Sequence, residues 1–348
     1  MRHLFVARIL FVFSLMATGV FFSGVSLGLQ NVQAKDTPQM EVLKKKYKRP
    51  AAIPFPEENP YSEAKAKLGN MLFFDPRLSK SNLISCASCH NPSFGWEDSQ
   101  ALGSGNKMGK LGRHTPTILN LAWGEVFFWD GRAGSLEEQA LGPIMAGAEM
   151  AQPIDELISE LRAIPEYRKA FSVAFPGEGI KPKNIAHAIA TFERTIVSNL
   201  APFDRWVQGD ENAISDSAKR GFVLFNTKAR CANCHSGWNF TDDSFHDIGM
   251  ASKDPGRGKL LGGKVLNHAF KTPGLRNIVE RVPYMHDGSL KNLMAIIDHY
   301  DSKFVRRASL SEEIKPLNLV QKEKADLVAF LKSLSSKDDP MPIPVLPQ

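Results

Sequence analysis

A five-residue pattern, Cys-x-x-Cys-His, occurs twice in this chain of 348 residues, at 86–90 and at 231–235. The pattern is the attachment signal of c-type haem: two thiols bond to the porphyrin vinyl groups, and the histidine binds the iron. A zinc site or disulfides are the alternatives, but zinc ribbons place their cysteine pairs only about 15–20 residues apart. The sequence therefore predicts two covalent haems, held by all four cysteines of the chain and two axial histidines: Cys86, Cys89, Cys231, Cys234, His90 and His235.

The first 34 residues have the features of an export signal. They contain Arg2 and Arg8, an uncharged apolar run over 9–29, and the tripeptide Val32-Gln33-Ala34, which resembles a signal-peptidase site. The segment predicts export to the bacterial periplasm, where c-type haem is attached. The run is also long enough to span a bilayer, so an uncleaved membrane anchor is the alternative.

The charge balance argues against a nucleic-acid partner. The formal net charge is +6 at pH 7, and loss of residues 1–34 removes two positive charges and no negative ones. The haem propionates would bring the remainder close to zero, whereas nucleic-acid binding needs a strongly basic surface. The basic run from Lys44 to Arg49 is predicted to lie in a solvated linker over 35–54.

The chain carries one set of elements twice. Gly69-x-x-Leu72-Phe73 precedes the first haem motif as Gly221-x-x-Leu224-Phe225 precedes the second. Further along, three elements recur with equal spacing: Thr115-Pro116, Asn120 and Trp129-Asp130-Gly131 match Thr272-Pro273, Asn277 and His286-Asp287-Gly288. Such repetition indicates one structural unit built twice. We therefore predict two domains related by internal duplication, an N-terminal one over 55–205 and a C-terminal one over 206–348, each with one haem.

The apolar pattern predicts a mainly α-helical fold of short helices and long loops. Apolar residues recur at three- and four-residue spacing in six segments, and no stretch alternates with period two. The segments are 61–74, 154–164, 182–199, 215–226, 290–300 and 320–334. This is the pattern of cytochrome c domains, in which haem replaces part of the apolar core.

Four sequence blocks resemble those of the bacterial dihaem cytochrome c peroxidases and their MauG-type relatives. The blocks are Leu72-Phe73-Phe74-Asp75-Pro76-Arg77-Leu78-Ser79, Ile84-Ser85-Cys86-Ala87-Ser88-Cys89-His90, Phe128-Trp129-Asp130-Gly131-Arg132 and Pro283-Tyr284-Met285-His286-Asp287-Gly288-Ser289. They occur in the family order, and the resemblance spans residues 55–335. It implies an enzyme that reduces hydrogen peroxide through a ferryl intermediate, with electrons from a small cytochrome c or a cupredoxin.

The resemblance also implies roles for individual residues of the first domain. In the family, the first haem reacts with peroxide, and a Gln and a Glu lie 10 and 20 residues after the Trp of the W-D-G block. Those positions are Gln139, which would orient peroxide, and Glu149, which would be the acid/base. Trp129 would relay electrons between the haems. Met145 and Met150 flank this segment and are alternative iron ligands that would close the site.

Two positions depart from the respiratory peroxidases. Many of those enzymes have a His, seven residues before the Arg of the Arg113-His114 block, that caps the resting iron; here that residue is Asn106, which predicts an open first iron. Loop movement that brings in His114 is the alternative. The Met ligand of the second haem is replaced by Tyr300, as in MauG-type proteins, and tyrosinate stabilises oxidised iron. Alternative ligands are Met294, Met285 and His268.

The resemblance leaves function and one cofactor open. MauG-type enzymes use peroxide to oxidise tryptophans of a partner protein during quinone cofactor maturation in methylamine utilisation, but their surface Trp before the second haem motif is Ala229 here. A dihaem electron carrier is the third possibility. Family members often hold calcium through an Asn and two backbone carbonyls. His114 replaces that Asn, while Arg281 and Pro283 retain the carbonyls, so one calcium ion stays an open alternative.

Overall fold

The computed structural model describes residues 38–348, and the predicted signal segment or anchor over 1–34 lies outside the described residues. Within them, eleven α-helices alternate with long loops and one antiparallel pair of two-residue strands, β1 (Phe245–His246) and β2 (Phe270–Lys271). The helices are α1 (Pro38–Lys45), α2 (Glu63–Phe74), α3 (Cys86–Cys89), α4 (Leu136–Met145), α5 (Ile154–Ala163), α6 (Pro165–Ala174), α7 (Pro182–Arg194), α8 (Pro202–Val207), α9 (Asp216–Asn226), α10 (Leu293–Asp298) and α11 (Gln321–Ser333). The prediction of a mainly α-helical fold is confirmed.

Short helical turns occupy the loops. Seven have 3-10 geometry, and one π turn, His299–Lys303, continues α10. The 3-10 turns are Pro76–Leu78, Pro92–Phe94, Asn106–Met108, Leu121–Trp123, Cys231–Asn233, Arg257–Lys259 and Ile278–Glu280. None of the described helices is long and apolar enough to cross a membrane.

The first apolar core is built on the crossing of α2 and α7. Ser62 begins α2, because its side chain accepts a hydrogen bond from the backbone N–H of Lys65. At the crossing, Gly69 lies so close to α7 that an added Cβ would sit 1.9 Å from the Ala188 carbonyl oxygen. The helices α4, α5 and α6 complete the layer around Leu68, Leu72, Phe73, Leu157, Tyr167, Phe171 and Phe192.

The second core repeats this crossing with α9 and α11. An added Cβ on Gly221 would lie 2.0 Å from the Asp326 carbonyl oxygen, which matches the contact at Gly69. Aromatic rings fill the core around it: Phe203, Trp206, Phe222, Phe225, Phe240 and Phe330. The predicted boundary after residue 205 stays a prediction, and α8, which contains it, contributes Phe203 and Trp206 to this second core.

Two asparagines fix the loops that follow the haem motifs. Asn120 and Asn277 both have left-handed backbone angles, with φ of 62° and 54°. Each side chain accepts the backbone N–H of a serine beyond the last helix of its core, Ser198 at 3.0 Å and Ser336 at 2.9 Å. The equal crossings and equal loop anchors confirm the internal duplication that the sequence predicted.

The segment predicted as a solvated linker is partly buried. Tyr47, which follows α1, is 1% exposed and stacks on Phe240 with ring centroids 5.0 Å apart. Lys44 is also buried: its ammonium group bonds Glu211 at 2.6 Å and lies 4.3 Å from the Trp206 ring centroid. The run looked solvated because of its charge, but a lysine can bury its aliphatic stem while its charge is paired. Residues 40–47 therefore extend the second core.

Candidate active site

The two motif histidines are held in the form that binds iron. The backbone N–H groups of His90 and His235 each donate to the carbonyl of the first motif cysteine at 2.8 Å. His90 Nδ1 lies 3.2 Å from the Trp96 carbonyl oxygen, and His235 Nδ1 lies 2.9 Å from that of Phe240. A carbonyl only accepts, so Nδ1 carries the proton and the Nε2 lone pair is left for a metal.

Burial keeps the histidines and cysteines of both motifs uncharged. It lowers the pKa of both His90 and His235, which keeps the imidazoles neutral and able to bind a metal. Burial also raises the pKa of Cys89 to about 11 and that of Cys231 to about 12, so these side chains are thiols. The donor set of each motif therefore fits a covalently attached haem.

The larger of the two haem cavities has a volume of about 590 Å³ and contains the first motif. Cys89 and His90 line it together with Trp129, Gln139 and Glu149, so the structure brings together the residues that the sequence predicted for the peroxide site. Its volume is in the range of cofactor-binding cavities, about 300–1,000 Å³. These residues come from four separate segments, namely the first haem motif, the Trp129 loop, α4 and the turn after α4, so the fold is what brings them together.

Local hydrogen bonds position the two distal residues. Ser135 begins α4 by accepting from the Glu138 backbone N–H, and Gln139 follows on the first turns of that helix. Glu149 lies in the turn after α4, and this turn is held in place because the backbone N–H of Glu149 donates to the Ala146 carbonyl oxygen at 2.9 Å. Burial raises the pKa of Glu149, and the charge of Arg132 opposes part of that rise. A carboxyl group with a raised pKa is suited to exchange protons.

The alternative ligands of the first iron are placed less favourably. Met145 is 49% exposed and Met150 is buried beside a smaller adjoining cavity. His114 lines the large cavity, but both of its ring nitrogens contact other groups. Asn106 donates its side-chain amide to Gly147 O at 3.2 Å and does not line this cavity. An open first iron stays a prediction, and this geometry favours it.

The second cavity, of about 170 Å³, contains the second motif. Cys231, Cys234 and His235 line it together with Tyr300, which lies in the π turn after α10. A π turn in a helix often marks a functional residue. The neighbouring His299 is directed elsewhere, because its Nε2 lies 2.8 Å from the Ile248 carbonyl oxygen.

Tyr300 is the predicted oxygen ligand of the second haem, and it lines the second cavity. Burial raises the pKa of its phenol, so ionisation there requires a nearby cation such as ferric iron. Of the alternatives, Met285 also lines this cavity, whereas Met294 and His268 do not. Tyr300 as axial ligand stays a prediction, with Met285 as its competitor.

Trp129 lies between the two cavities. It lines both of them, and its indole N–H donates to the His114 carbonyl oxygen at 2.8 Å. Its ring meets that of His286 edge-on, with centroids 6.5 Å apart. The duplication makes these two rings equivalent, so the repeat itself places a Trp at the contact between the haem cavities.

A buried polar cluster that the motifs did not reveal lies beside Trp129. Glu97, His114 and Arg281 are 5%, 3% and 6% exposed, and all three line both cavities. Glu97 was missed because it belongs to no recurrent block and lies in a polar loop. Its spacing of seven residues from His90 was the only available signal.

Comparison with known proteins identifies the family. The family model described as di-haem cytochrome c peroxidase matches residues 63–212, and the cytochrome c model matches residues 218–335. Methylamine utilization protein MauG of Methylorubrum extorquens is 46% identical over the whole length of both chains. Cytochrome c551 peroxidase of Nitrosomonas europaea is 36% identical, over 84% of this chain and 86% of that protein.

The chain belongs to the dihaem cytochrome c peroxidase and MauG family. A crystal structure of a MauG-like protein associated with microbial copper homeostasis is also similar, with a TM-score of 0.77 and 31% identity over 83% of this chain and 95% of that one. Members of the family are haem-containing oxidoreductases, and the chain is an enzyme of this class with two cytochrome c-type domains. The predicted family, fold class and haem cofactors are thereby confirmed.

Proposed function

We propose that the protein is a MauG-type enzyme that uses hydrogen peroxide to oxidise side chains of a partner protein. The observation that carries the proposal is the position of Tyr300, which lines the same cavity as His235 where respiratory peroxidases have a methionine. The sequence alone favoured peroxide reduction with a small redox donor. Identity of 46% to a MauG over the full length, against 36% to a cytochrome c551 peroxidase, supports the partner-oxidising activity instead.

Two haems would be held by Cys86, Cys89 and His90 and by Cys231, Cys234 and His235, and they supply iron centres that react with peroxide and store oxidising equivalents. Glu149 would move a proton from one oxygen of the bound peroxide to the other, so that the departing oxygen would leave as water. The side-chain amide of Gln139, which lines the same cavity, would hold the peroxide by hydrogen bonds.

Trp129 and Tyr300 would serve electron transfer between the two haem sites. Trp129 would pass electrons from the second haem site to the first, since its ring borders both cavities. Tyr300, as a phenolate, would favour an oxidised iron on the second side, because an anionic oxygen donor stabilises higher charge on the metal. Together, Trp129 and Tyr300 would serve a reaction in which a partner protein supplies the two electrons that the reduction of peroxide consumes.

The second candidate is a cytochrome c peroxidase that is fed by a small cytochrome c or a cupredoxin. Ala229 favours it, because MauG-type enzymes have a surface tryptophan at that position, whereas this alanine is only 4% exposed and packs in the second core. Either activity fits export to the periplasm, which residues 1–34 predict.

Parallel turnover assays separate the two candidates. The dihaem protein is supplied with peroxide and either the tryptophan-bearing precursor of an amine dehydrogenase or a reduced cytochrome c or cupredoxin. We expect quinone absorbance and a mass change of the precursor, with slow consumption of the small donors. Rapid, catalytic donor oxidation together with an unmodified precursor would assign the protein to the peroxidases.

A further inference from the structure

The cluster of Glu97, His114 and Arg281 has hydrogen-bond geometry that fixes its protonation. His114 Nδ1 lies 2.7 Å from the Gln100 carbonyl oxygen, and its Nε2 lies 2.9 Å from Glu97 Oε2. A carbonyl oxygen only accepts hydrogen bonds, and so does a carboxylate. Both ring nitrogens therefore donate, and the ring is an imidazolium.

Burial raises the pKa of Glu97, but the hydrogen bond from His114 and the charge of Arg281 oppose that rise and favour a carboxylate. Arg281 Nη1 lies 3.8 Å from Glu97 Oε1, so the carboxylate lies between two cations. Asp98 is the next acidic group: it accepts from the Thr115 hydroxyl at 2.8 Å, and its charge also acts on His114. Arg113, next to His114 in the chain, is neutralised separately by Asp130 and Asp254, each at 2.7 Å. Two cations thus face two anions.

The same cluster joins the two halves of the molecule. The backbone N–H of His114 donates to His286 O at 2.8 Å, and its carbonyl accepts the indole N–H of Trp129 at 2.8 Å. The residue therefore connects the two equivalent rings that border the haem cavities. The hydrogen bonds at both ring nitrogens fix the position of His114. They thereby fix its backbone, and with it the hydrogen bond from Trp129 to the His114 carbonyl oxygen.

A calcium ion does not fit this arrangement. Calcium takes six to eight oxygen ligands, typically with several carboxylates. His114 offers no oxygen from its side chain, the Glu97 carboxylate is shared by His114 and Arg281, and Asp98 already accepts the Thr115 hydroxyl. The cluster's two cations already balance its two carboxylates, so too few free oxygen donors remain for a divalent cation.

We propose that the His114 imidazolium supplies the positive charge at a position that holds calcium in related enzymes, and that this protein takes no calcium there. His114 is then a positioning residue for Trp129. His114 would have this role whether a partner protein or a small redox protein supplies the electrons.

Metal analysis and thermal unfolding of the dihaem protein test this proposal. We expect the wild type to contain only substoichiometric calcium, and neither EGTA nor about 1 mM calcium chloride should change its melting temperature or its ferric EPR spectrum. His114→Asn removes the cation, adds an amide oxygen and releases Glu97. This variant should bind calcium at least about tenfold more tightly than the wild type and melt at a higher temperature in its presence. His187→Asn, on α7, is the matched control and should behave like the wild type.

Two results would overturn the proposal. One is a wild-type protein that retains one calcium ion per chain and whose melting temperature falls, or whose ferric EPR spectrum changes, when EGTA is added. The other is a His114→Asn variant that folds, keeps both haems and remains indifferent to calcium, since the cluster would then not be a cation site. Because the wild-type measurement stands alone, the proposal is testable even if the variant does not fold.

Discussion

Glu149 combines a position in the larger cavity, beside Cys89 and His90, with a raised pKa that burial causes. Only its carboxylate can accept a proton from peroxide, so the rate of the peroxide reaction should fall as pH is lowered through this raised pKa. Glu149→Gln should slow the reaction at least tenfold, since acid/base catalysis contributes about a hundred- to ten-thousand-fold, and should remove the pH dependence. Stopped-flow mixing with peroxide measures both effects. The exposed Glu166→Gln is the control, and an unchanged rate in Glu149→Gln would exclude Glu149 as the base.

Removing the phenol oxygen of Tyr300 tests whether this residue, rather than a neighbour, is the ligand of the second haem. Tyr300→Phe should change the low-spin ferric EPR signal of the second haem and leave the high-spin signal of the first, because the phenolate donor is lost. Tyr284→Phe removes a hydroxyl that lines the same cavity but donates to Ile278 O at 3.0 Å, so its spectrum should match the wild type. A low-spin signal that survives unchanged in Tyr300→Phe would transfer the role to Met285.

For individual residues, the sequence predicted a role only where the residue lies at a fixed distance along the chain from a recognised motif. Gln139 and Glu149 could be predicted from their distance to Trp129, although each alone looks like a surface residue. Glu97 has no such reference, and its burial depends on contacts with His114 and Arg281 that are distant in sequence. The meaning of His114 was missed for the same reason: its two hydrogen-bond partners lie in another loop.

The helix crossings give the strictest test of the duplicated architecture. Gly69→Ala and Gly221→Ala would each place a Cβ about 2 Å from a backbone carbonyl oxygen, which cannot move without separating the helices. Each variant should lose at least about 1–3 kcal/mol of stability, the usual cost of overpacking. Chemical denaturation of the dihaem protein measures it. Gly147→Ala, where the new methyl meets nothing within 4 Å, should be nearly neutral. Wild-type stability in Gly69→Ala would contradict the close crossing.

Helices were predictable where apolar residues recur at helical spacing, and length alone was not decisive, since α4 and α6, of ten residues each, were missed. The six periodic segments correspond to α2, α5, α7, α9, α10 and α11, because each buries one apolar face. The short α8 and the π turn at His299–Lys303 could not be predicted, since their conformations depend on tertiary contacts such as the His299 bond to Ile248. The burial of Tyr47 likewise follows from partners more than 150 residues away, Phe203, Phe222 and Phe240.

On the scale of the whole molecule, the two haem cavities share Trp129 as a common wall. Trp129→Phe should leave the peroxide reaction at the first haem near its wild-type rate and slow the subsequent oxidation of the second haem, because phenylalanine is harder to oxidise. Rapid-freeze EPR after mixing with peroxide follows the two haems separately. Trp123→Phe is the control, since Trp123 contacts Trp238 and lines neither cavity. Equal rates in Trp129→Phe and the wild type would require another route.

The most direct test of the account is to mix the fully ferric dihaem protein with one equivalent of hydrogen peroxide, without prior reduction, and to record freeze-quench EPR spectra. Asn106 in place of a capping histidine, Glu149 in the cavity and Tyr300 on the second side together predict immediate reaction, with the high-spin and low-spin ferric signals decreasing in parallel. A ferric protein that stays inert, and reacts only after one haem has been reduced, would contradict the account.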